Sequence, residues 1–133
     1  MASPNLLIDT SIIIEHLRKQ NRERSILYGI VDQYELAVST MVEFELFIGA
    51  TSEPKQQDVD KILAWCTTLP LTTIVAQTAA TIYNDLKRTN QLIEIRDILI
   101  GATAVVHEMQ LMTLNSKHFE RIKSVQIISA PTT

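Results

Sequence analysis

The chain has 133 residues, of which 46% are hydrophobic and 20% charged. These are the figures of one ordinary globular domain, 1–133, able to bury a core without a disulfide scaffold. Cys66 is the only cysteine, which excludes an intrachain disulfide and a cysteine-rich zinc site. The net charge of −3 argues against a protein that holds nucleic acid by charge alone, which is normally basic. It does not exclude a nuclease, because an acidic metal site lowers the formal charge and a bound cation restores part of it.

In chain order, Leu6-Leu7-Ile8 is a short continuous apolar run, as expected of a strand buried on both faces. Asp9-Thr10-Ser11 follows, three good helix caps, and Ile12 to Lys19 reads as a helix. Arg22 to Gln33 reads as a second helix and Leu36-Ala37-Val38 as a short strand. Ser39 or Thr40 caps a helix running to about Thr51, and Ser52-Glu53-Pro54 breaks it. Pro54 opens a helix to about Cys66. Leu69 to Ile74 is expected to be a strand, β-branched and without helical period, with Pro70 marking an edge. A long helical pattern covers about Ala76 to Thr89, and Asn90 to Glu94 is a loop. A helix then starts near Arg96 or Asp97 and reaches about His107. Leu111 to Thr113 is a strand, Ser116 to Arg121 a helical turn, and Val125 to Ile128 a last strand.

Strands alternating with helices predict an α/β fold with a mostly parallel central sheet of about five strands flanked by helices. Only three glycines occur, and both the dinucleotide fingerprint and the P-loop are absent. Met1 to Asn5 lacks the basic region of a secretory leader, and Asp9 breaks the apolar run that follows. No apolar stretch approaches the roughly 20 residues of a membrane helix. A soluble protein of a reducing cytoplasm is expected.

Ligands of open parallel sheets bind outside the carboxyl ends of the strands. Asp9 directly follows the first strand, the helix after the second carries Glu43 and Glu45, Asp97 begins the helix leading to the fourth, and Asn115 follows that strand. Glu45 shares a helical face with Met41, Ile48 and Gly49, where an ionised carboxylate is costly unless a cation or donor meets it. Asp97 heads the small-residue run Gly101-Ala102-Thr103-Ala104, which would let its helix lie close to the sheet. If Asp9, Glu45 and Asp97 converge, three like charges within about 4–6 Å need a cation. Carboxylate and amide oxygens suit a hard ion, Mg²⁺ or Mn²⁺. Each residue also has a structural alternative: Asp9 or Asp97 as a helix cap, Glu45 as a salt-bridged helix residue, Asn115 as a turn residue.

The motifs resemble those of the PIN-domain family, and within it the VapC toxins of toxin–antitoxin pairs. Leu6 to Ser11 resembles the family's opening strand with its first metal-site Asp. Val38-Ser39-Thr40 through Glu45-Leu46-Phe47-Ile48-Gly49-Ala50 resembles the second motif and selects Glu45 over Glu43. Asp97 to Ala104 resembles the third acid with its small-residue helix. Met112 to Phe119 resembles the last motif, with Asn115 at the fourth acidic position, where a neutral group weakens any second metal site. The resemblance implies a metal-dependent endoribonuclease, usually a homodimer, with Asp9, Glu45, Asp97 and Asn115 as metal and catalytic residues. It also implies a cognate antitoxin whose C-terminal segment enters the acidic site.

Ser11 is a candidate partner of a metal-bound water, or simply a cap. Arg96, Lys117, Lys87 and Arg88 are candidates for RNA phosphates, against the alternative of a solvated charged face. Phe44, Phe47 and Trp65 are read as core. His16, His107 and His118 lack paired ligand spacing and are read as structural or surface residues. A phosphoacceptor domain would need an Asp after a central strand, which Leu71 to Ala76 lacks. A haloacid-dehalogenase-type phosphatase would need an Asp where Ser11 stands. A PIN fold retained only for binding RNA or protein stays as the alternative, argued against by the intact acids.

Overall fold

The computed structural model describes residues 3–131. The expected domain limits at 1–2 and 132–133, including Met1 and Ala2, lie outside them. Five strands form one parallel sheet: β1 (Leu6–Ile8), β2 (Leu36–Ser39), β3 (Cys66–Leu69), β4 (Gln110–Met112) and β5 (Gln126–Ile128), in the order β3-β2-β1-β4-β5. The helices are α1 (Thr10–Arg18), α2 (Ile26–Ile30), α3 (Thr40–Gly49), α4 (Glu53–Leu63), α5 (Thr73–Arg88), α6 (Ile95–Val106) and α7 (Ser116–Phe119), with a 3-10 turn at Arg22–Arg24. Among the described residues no helix is long and apolar enough to cross a membrane.

The sheet order follows from composition. β1 is apolar at every residue and wholly buried, so it takes the centre, paired to β2 through Leu6↔Leu36 and to β4 through Leu7↔Leu111. The mixed strands β3 and β5 are half exposed and form the edges. On the helices, α5 buries Val75, Ala79, Ile82 and Leu86 at helical spacing, and α6, packed chiefly on α5, buries seven of its twelve residues, from Asp97 to Ala104. Each buried Val, Ile or Leu side chain contributes about 1.5–3 kcal/mol by leaving water, and Ala79 less.

Local chemistry sets the helix ends. Ser39, Ser52 and Thr72 cap α3, α4 and α5, each accepting from the amide three residues on. After α5, Asn90 adopts φ 56°; after α6, Glu108 adopts φ 54°. In both places paired amides close back onto the last turn, Asn90 and Gln91 onto Lys87 and Leu86, Glu108 and Met109 onto Val105 and Ala104. This is the Schellman ending, which usually takes glycine.

Three expectations are corrected. The third strand lies at Cys66–Leu69, not after Pro70, because proline has no amide for the ladder and Thr72 caps a helix starting at Thr73. The expected helix 22–33 is instead a 3-10 turn and the five-residue α2, divided at Ser25, whose hydroxyl caps α2 and meets buried His16 at 2.7 Å. Phe44 and Phe47 are not core: they are 56% and 53% exposed, with Ile48 beside them and Trp65 also exposed. The reason is that α3 buries Val42 and Leu46, with Met41 partly packed beside them, and leaves Phe44, Phe47 and Ile48 on its outer side.

Candidate active site

The strand order reverses between β1 and β4, and that switch point is where parallel sheets open a crevice at their carboxyl ends. The Asp9 amide donates to the Met112 carbonyl at 3.0 Å, extending the β1–β4 ladder by one residue and fixing Asp9 there. Asp9 occupies the N-cap position of α1, yet its side chain makes no cap bond. Its Oδ2 instead accepts from Thr113 Oγ1 at 2.8 Å and Ser11 Oγ at 3.1 Å. Those hydroxyls accept in turn from the Asn115 and Leu114 amides, both at 3.0 Å. The loop after β4 therefore holds the carboxylate after β1 through two hydroxyls.

Asp97 lies in the first turn of α6, where the helix N-terminus favours negative charge. Its Oδ2 accepts from the Nδ1–H of His118 at 2.9 Å. Gly101, one turn on, packs where a Cβ would meet Ile122 Cδ1 at 2.6 Å and Val125 Cγ2 at 3.4 Å. The close approach of the small-residue run at Gly101 is thus to the segment between α7 and β5. Glu45 projects from α3, and its Oε1 accepts from Thr10 Oγ1 at 2.7 Å. Glu43 points elsewhere, to Thr68 Oγ1 at 3.2 Å.

Arg96 joins the three acids. Its Nη2 donates to Asp9 Oδ1 at 3.1 Å and to Glu45 Oε1 at 2.7 Å, its Nε to Glu45 Oε2 at 2.7 Å, and its Nη1 to Asp97 Oδ1. Asp9 and Asp97 are 0% and 2% exposed, and burying carboxylates this deeply is costly unless they are paired and hydrogen-bonded as these are. Among the described residues no buried side-chain polar atom is left without a hydrogen bond. Burial pushes the Glu45 carboxyl up, but hydrogen bonds from Arg96 and Thr10 and the charge of Arg96 outweigh it, and the group lies below its ordinary range. The hydrogen bond to Glu45 and the neighbouring acids raise Arg96 further above its ordinary value, against burial.

The structure thus brings Asp9, Glu45 and Asp97 together and places Ser11 beside Asp9. Asn115 joins through its backbone; it is exposed, and its side chain makes no cap bond to α7. Lys117 is exposed on α7, and Arg88 pairs with Asp85 on the surface. Arg96 is not on a solvated face but at the centre of the site. Thr10, Thr113 and His118 escaped the sequence reading as site residues. The Met112–Phe119 motif contained two of them, but only folding places their donors on the carboxylates. Burial pushes the Cys66 thiol up to about 12, which keeps it protonated and out of the chemistry.

The donor chemistry fits a hard divalent ion: one oxygen of Asp9, one of Asp97 and the Glu45 carboxylate converge on a single cationic group, and all are oxygens. As they stand around Arg96, no three His, Cys, Asp or Glu side chains among the described residues are in metal-ligating geometry.

Fold and site together define a parallel α/β domain with three carboxylates gathered where the strand order reverses. The chain belongs to the PIN domain family, which it matches over residues 6–125. It is 35% identical over 132 residues to ribonuclease VapC1 of Rickettsia felis, covering 93% of this chain and 95% of that protein. It is 31% identical over 121 residues to ribonuclease VapC10 of Mycobacterium tuberculosis, covering 91% and 90%. Among solved structures, VapBC-1 of nontypeable Haemophilus influenzae superposes with a TM-score of 0.78 at 25% identity, covering 93% of this chain and 96% of that one.

Proposed function

We propose that this chain is a divalent-metal-dependent endoribonuclease, the toxin of a type II toxin–antitoxin pair acting in the cytoplasm. The observation that carries the reading is the convergence of Asp9, Glu45 and Asp97 on the single guanidinium of Arg96 at the sheet's switch point. The relatives named ribonuclease VapC support it over nine-tenths of the chain. Asp9, Glu45 and Asp97 would hold Mg²⁺ or Mn²⁺, with Asn115 as a neutral fourth partner. When bound, such an ion supplies an acidified water and neutralises charge on a phosphodiester.

The protein's own contribution is orientation. Thr113 and Ser11 fix one oxygen of Asp9, His118 fixes one of Asp97 and Thr10 one of Glu45. Each acid therefore presents its remaining oxygen inward without choosing a rotamer at the moment of reaction. Lys117, exposed on α7 beside the site, reaches toward an RNA phosphate, a contact that makes binding salt-sensitive.

The same reading includes an antitoxin partner. A groove of about 570 Å³ runs from Thr10 and Glu45 between α1, α3 and α4, with Ile14, Leu17, Leu46 and Val59 in its lining. It suits a peptide segment bearing apolar side chains and delivering a cation to the acids. Homodimerisation is part of the reading as well, supported by Phe44, Phe47 and Ile48, which share one exposed side of α3.

The test is incubation of antitoxin-free protein with tRNA, rRNA and unstructured RNA, in Mg²⁺, Mn²⁺ or EDTA, beside Asp97→Asn. Metal-dependent cleavage lost in the variant, leaving 5′-phosphate and 3′-hydroxyl ends, is expected. Ends bearing a 2′,3′-cyclic phosphate would refute attack by water. No cleavage of any RNA by folded, metal-bound protein would favour a PIN fold kept for binding.

A further inference from the structure

Arg96 is not needed to explain a metal-dependent nuclease, and its position is unusual. It stands in the first turn of α6, where the helix's own field disfavours a positive charge. Nothing local recommends arginine there; the three acids do. The outer oxygens of Asp9 and Asp97 are occupied by hydroxyls and by His118. The oxygens left over are the ones the guanidinium takes. It takes both oxygens of Glu45 as well. A guanidinium offers five donors in a rigid fork, and this one spreads them over all three carboxylates. That is the work a divalent cation would do for the same oxygens, and the guanidinium and an ion cannot both hold them.

We propose, building on the metal-dependent reading above, that Arg96 is a built-in competitor of the ion. In the metal-free protein it holds Asp9, Glu45 and Asp97 assembled, and it leaves the centre of the site when the ion is bound. The side chain is 23% exposed, so it has an open side by which to leave. The arrangement keeps the acids from repelling one another during folding and before the ion arrives. It also lowers the apparent affinity for the ion by the fraction of molecules in which Arg96 is already withdrawn. A withdrawn fraction of about 1–10% weakens binding about 10- to 100-fold. Ion loading, and with it activity, then responds to anything that draws Arg96 outward.

The test needs no RNA, so displacement of Arg96 by the ion is read apart from RNA cleavage. Mg²⁺ binding is measured by titration calorimetry for wild type, Arg96→Gln and Arg96→Lys. Arg96→Gln is expected to bind Mg²⁺ at least about tenfold more tightly, roughly 1.4 kcal/mol. Arg96→Lys, which keeps the charge and loses the fork, is expected in between. The Mg²⁺-free midpoint of Arg96→Gln falls and is restored by the ion. Removing a nearby positive charge would tighten binding even without displacement, so displacement is read directly. The Nε–H resonance of Arg96 in wild type is expected to move on Mg²⁺ saturation to the position of an unpaired arginine. If Arg96→Gln does not fold without the ion, that resonance and Arg96→Lys decide. Wild-type affinity in Arg96→Gln overturns the proposal. So does an Arg96 resonance unmoved at saturation, which leaves the metal-dependent reading standing, whereas an absence of Mg²⁺ binding in every variant overturns both. Tighter binding with displacement but without RNA cleavage upholds it and leaves the ribonuclease reading to fail alone.

Discussion

Replacing Thr113 with valine isolates the support given to Asp9. Valine keeps the shape and deletes one hydroxyl, which donates to Asp9 Oδ2 at 2.8 Å and accepts from the Asn115 amide at 3.0 Å. Asp9 is fully buried, and a hydrogen bond to a buried charged group contributes about 1.5–3 kcal/mol. Asn115 is exposed, so its amide turns to water at little cost. The extra buried methyl returns about 0.8 kcal/mol at most, leaving a net loss of about 1–2 kcal/mol. For 133 residues, at about 2.1 cal/mol/K of unfolding entropy per residue, this lowers Tm by about 4–7 °C. In urea the midpoint falls by about 0.5–1 M at an ordinary slope. The assay is urea unfolding of metal-free wild type, Thr113→Val and Thr113→Ser. Serine keeps the hydroxyl and should lose less than valine. Equal losses in the two variants would mean packing rather than the hydrogen bond holds Asp9, and no loss in either would refute the reasoning altogether.

Gly101→Val is expected to destabilise by about 1–3 kcal/mol through overpacking, because even a Cβ there meets Ile122 at 2.6 Å. Since Asp97 lies one turn earlier on α6, Mg²⁺ affinity should weaken with it; thermal unfolding and calorimetry check both, and wild-type values would show that α6 shifts freely. The pH dependence of stability in the mildly acidic range should come from His16. Burial and then the charge of Arg22 lower its pKa from 6.5, against Glu15 and Asp58. The unfolded chain therefore takes up a proton as pH falls through about 6.5 while the folded chain does not, and stability drops until the lower folded value is passed. Glu45 and Asp58 have lowered values, Asp58 chiefly through its hydrogen bond from Arg22, so their contribution is lost only at more acid pH. Urea midpoints at pH 7.5 and 5.5 should differ more for wild type than for His16→Asn, and equal differences would remove His16 as the cause.

Much of the fold is legible in local sequence. The all-apolar β1, the caps at Ser39 and Thr72 and the apolar spacing of α5 are short-range signals, and the parallel five-stranded sheet follows from their alternation. The position of β3 is also set locally: Thr72, Thr73 and Ile74 are β-branched, but ladder amides and the Thr72 cap place the strand before Pro70. The outward turn of Phe44 and Phe47 could not be read from α3, because an apolar helix shows no preferred side until its neighbours are placed.

The candidate acids were legible because each sits at a fixed point of its element: Asp9 at a strand end, Asp97 in a first helical turn, Glu45 on an otherwise apolar face. Whether Asp9 served only as a cap was left open by the sequence, and the missing cap bond settles that its side chain is used elsewhere. What tertiary structure alone decided is how those acids are held. Arg96 reaches Asp9 across 87 residues and Thr113 reaches it across 104. Periodicity, propensity and capping act over a few residues along the chain. The choice of donor for a buried carboxylate is made between strands and helices that meet only in the folded sheet.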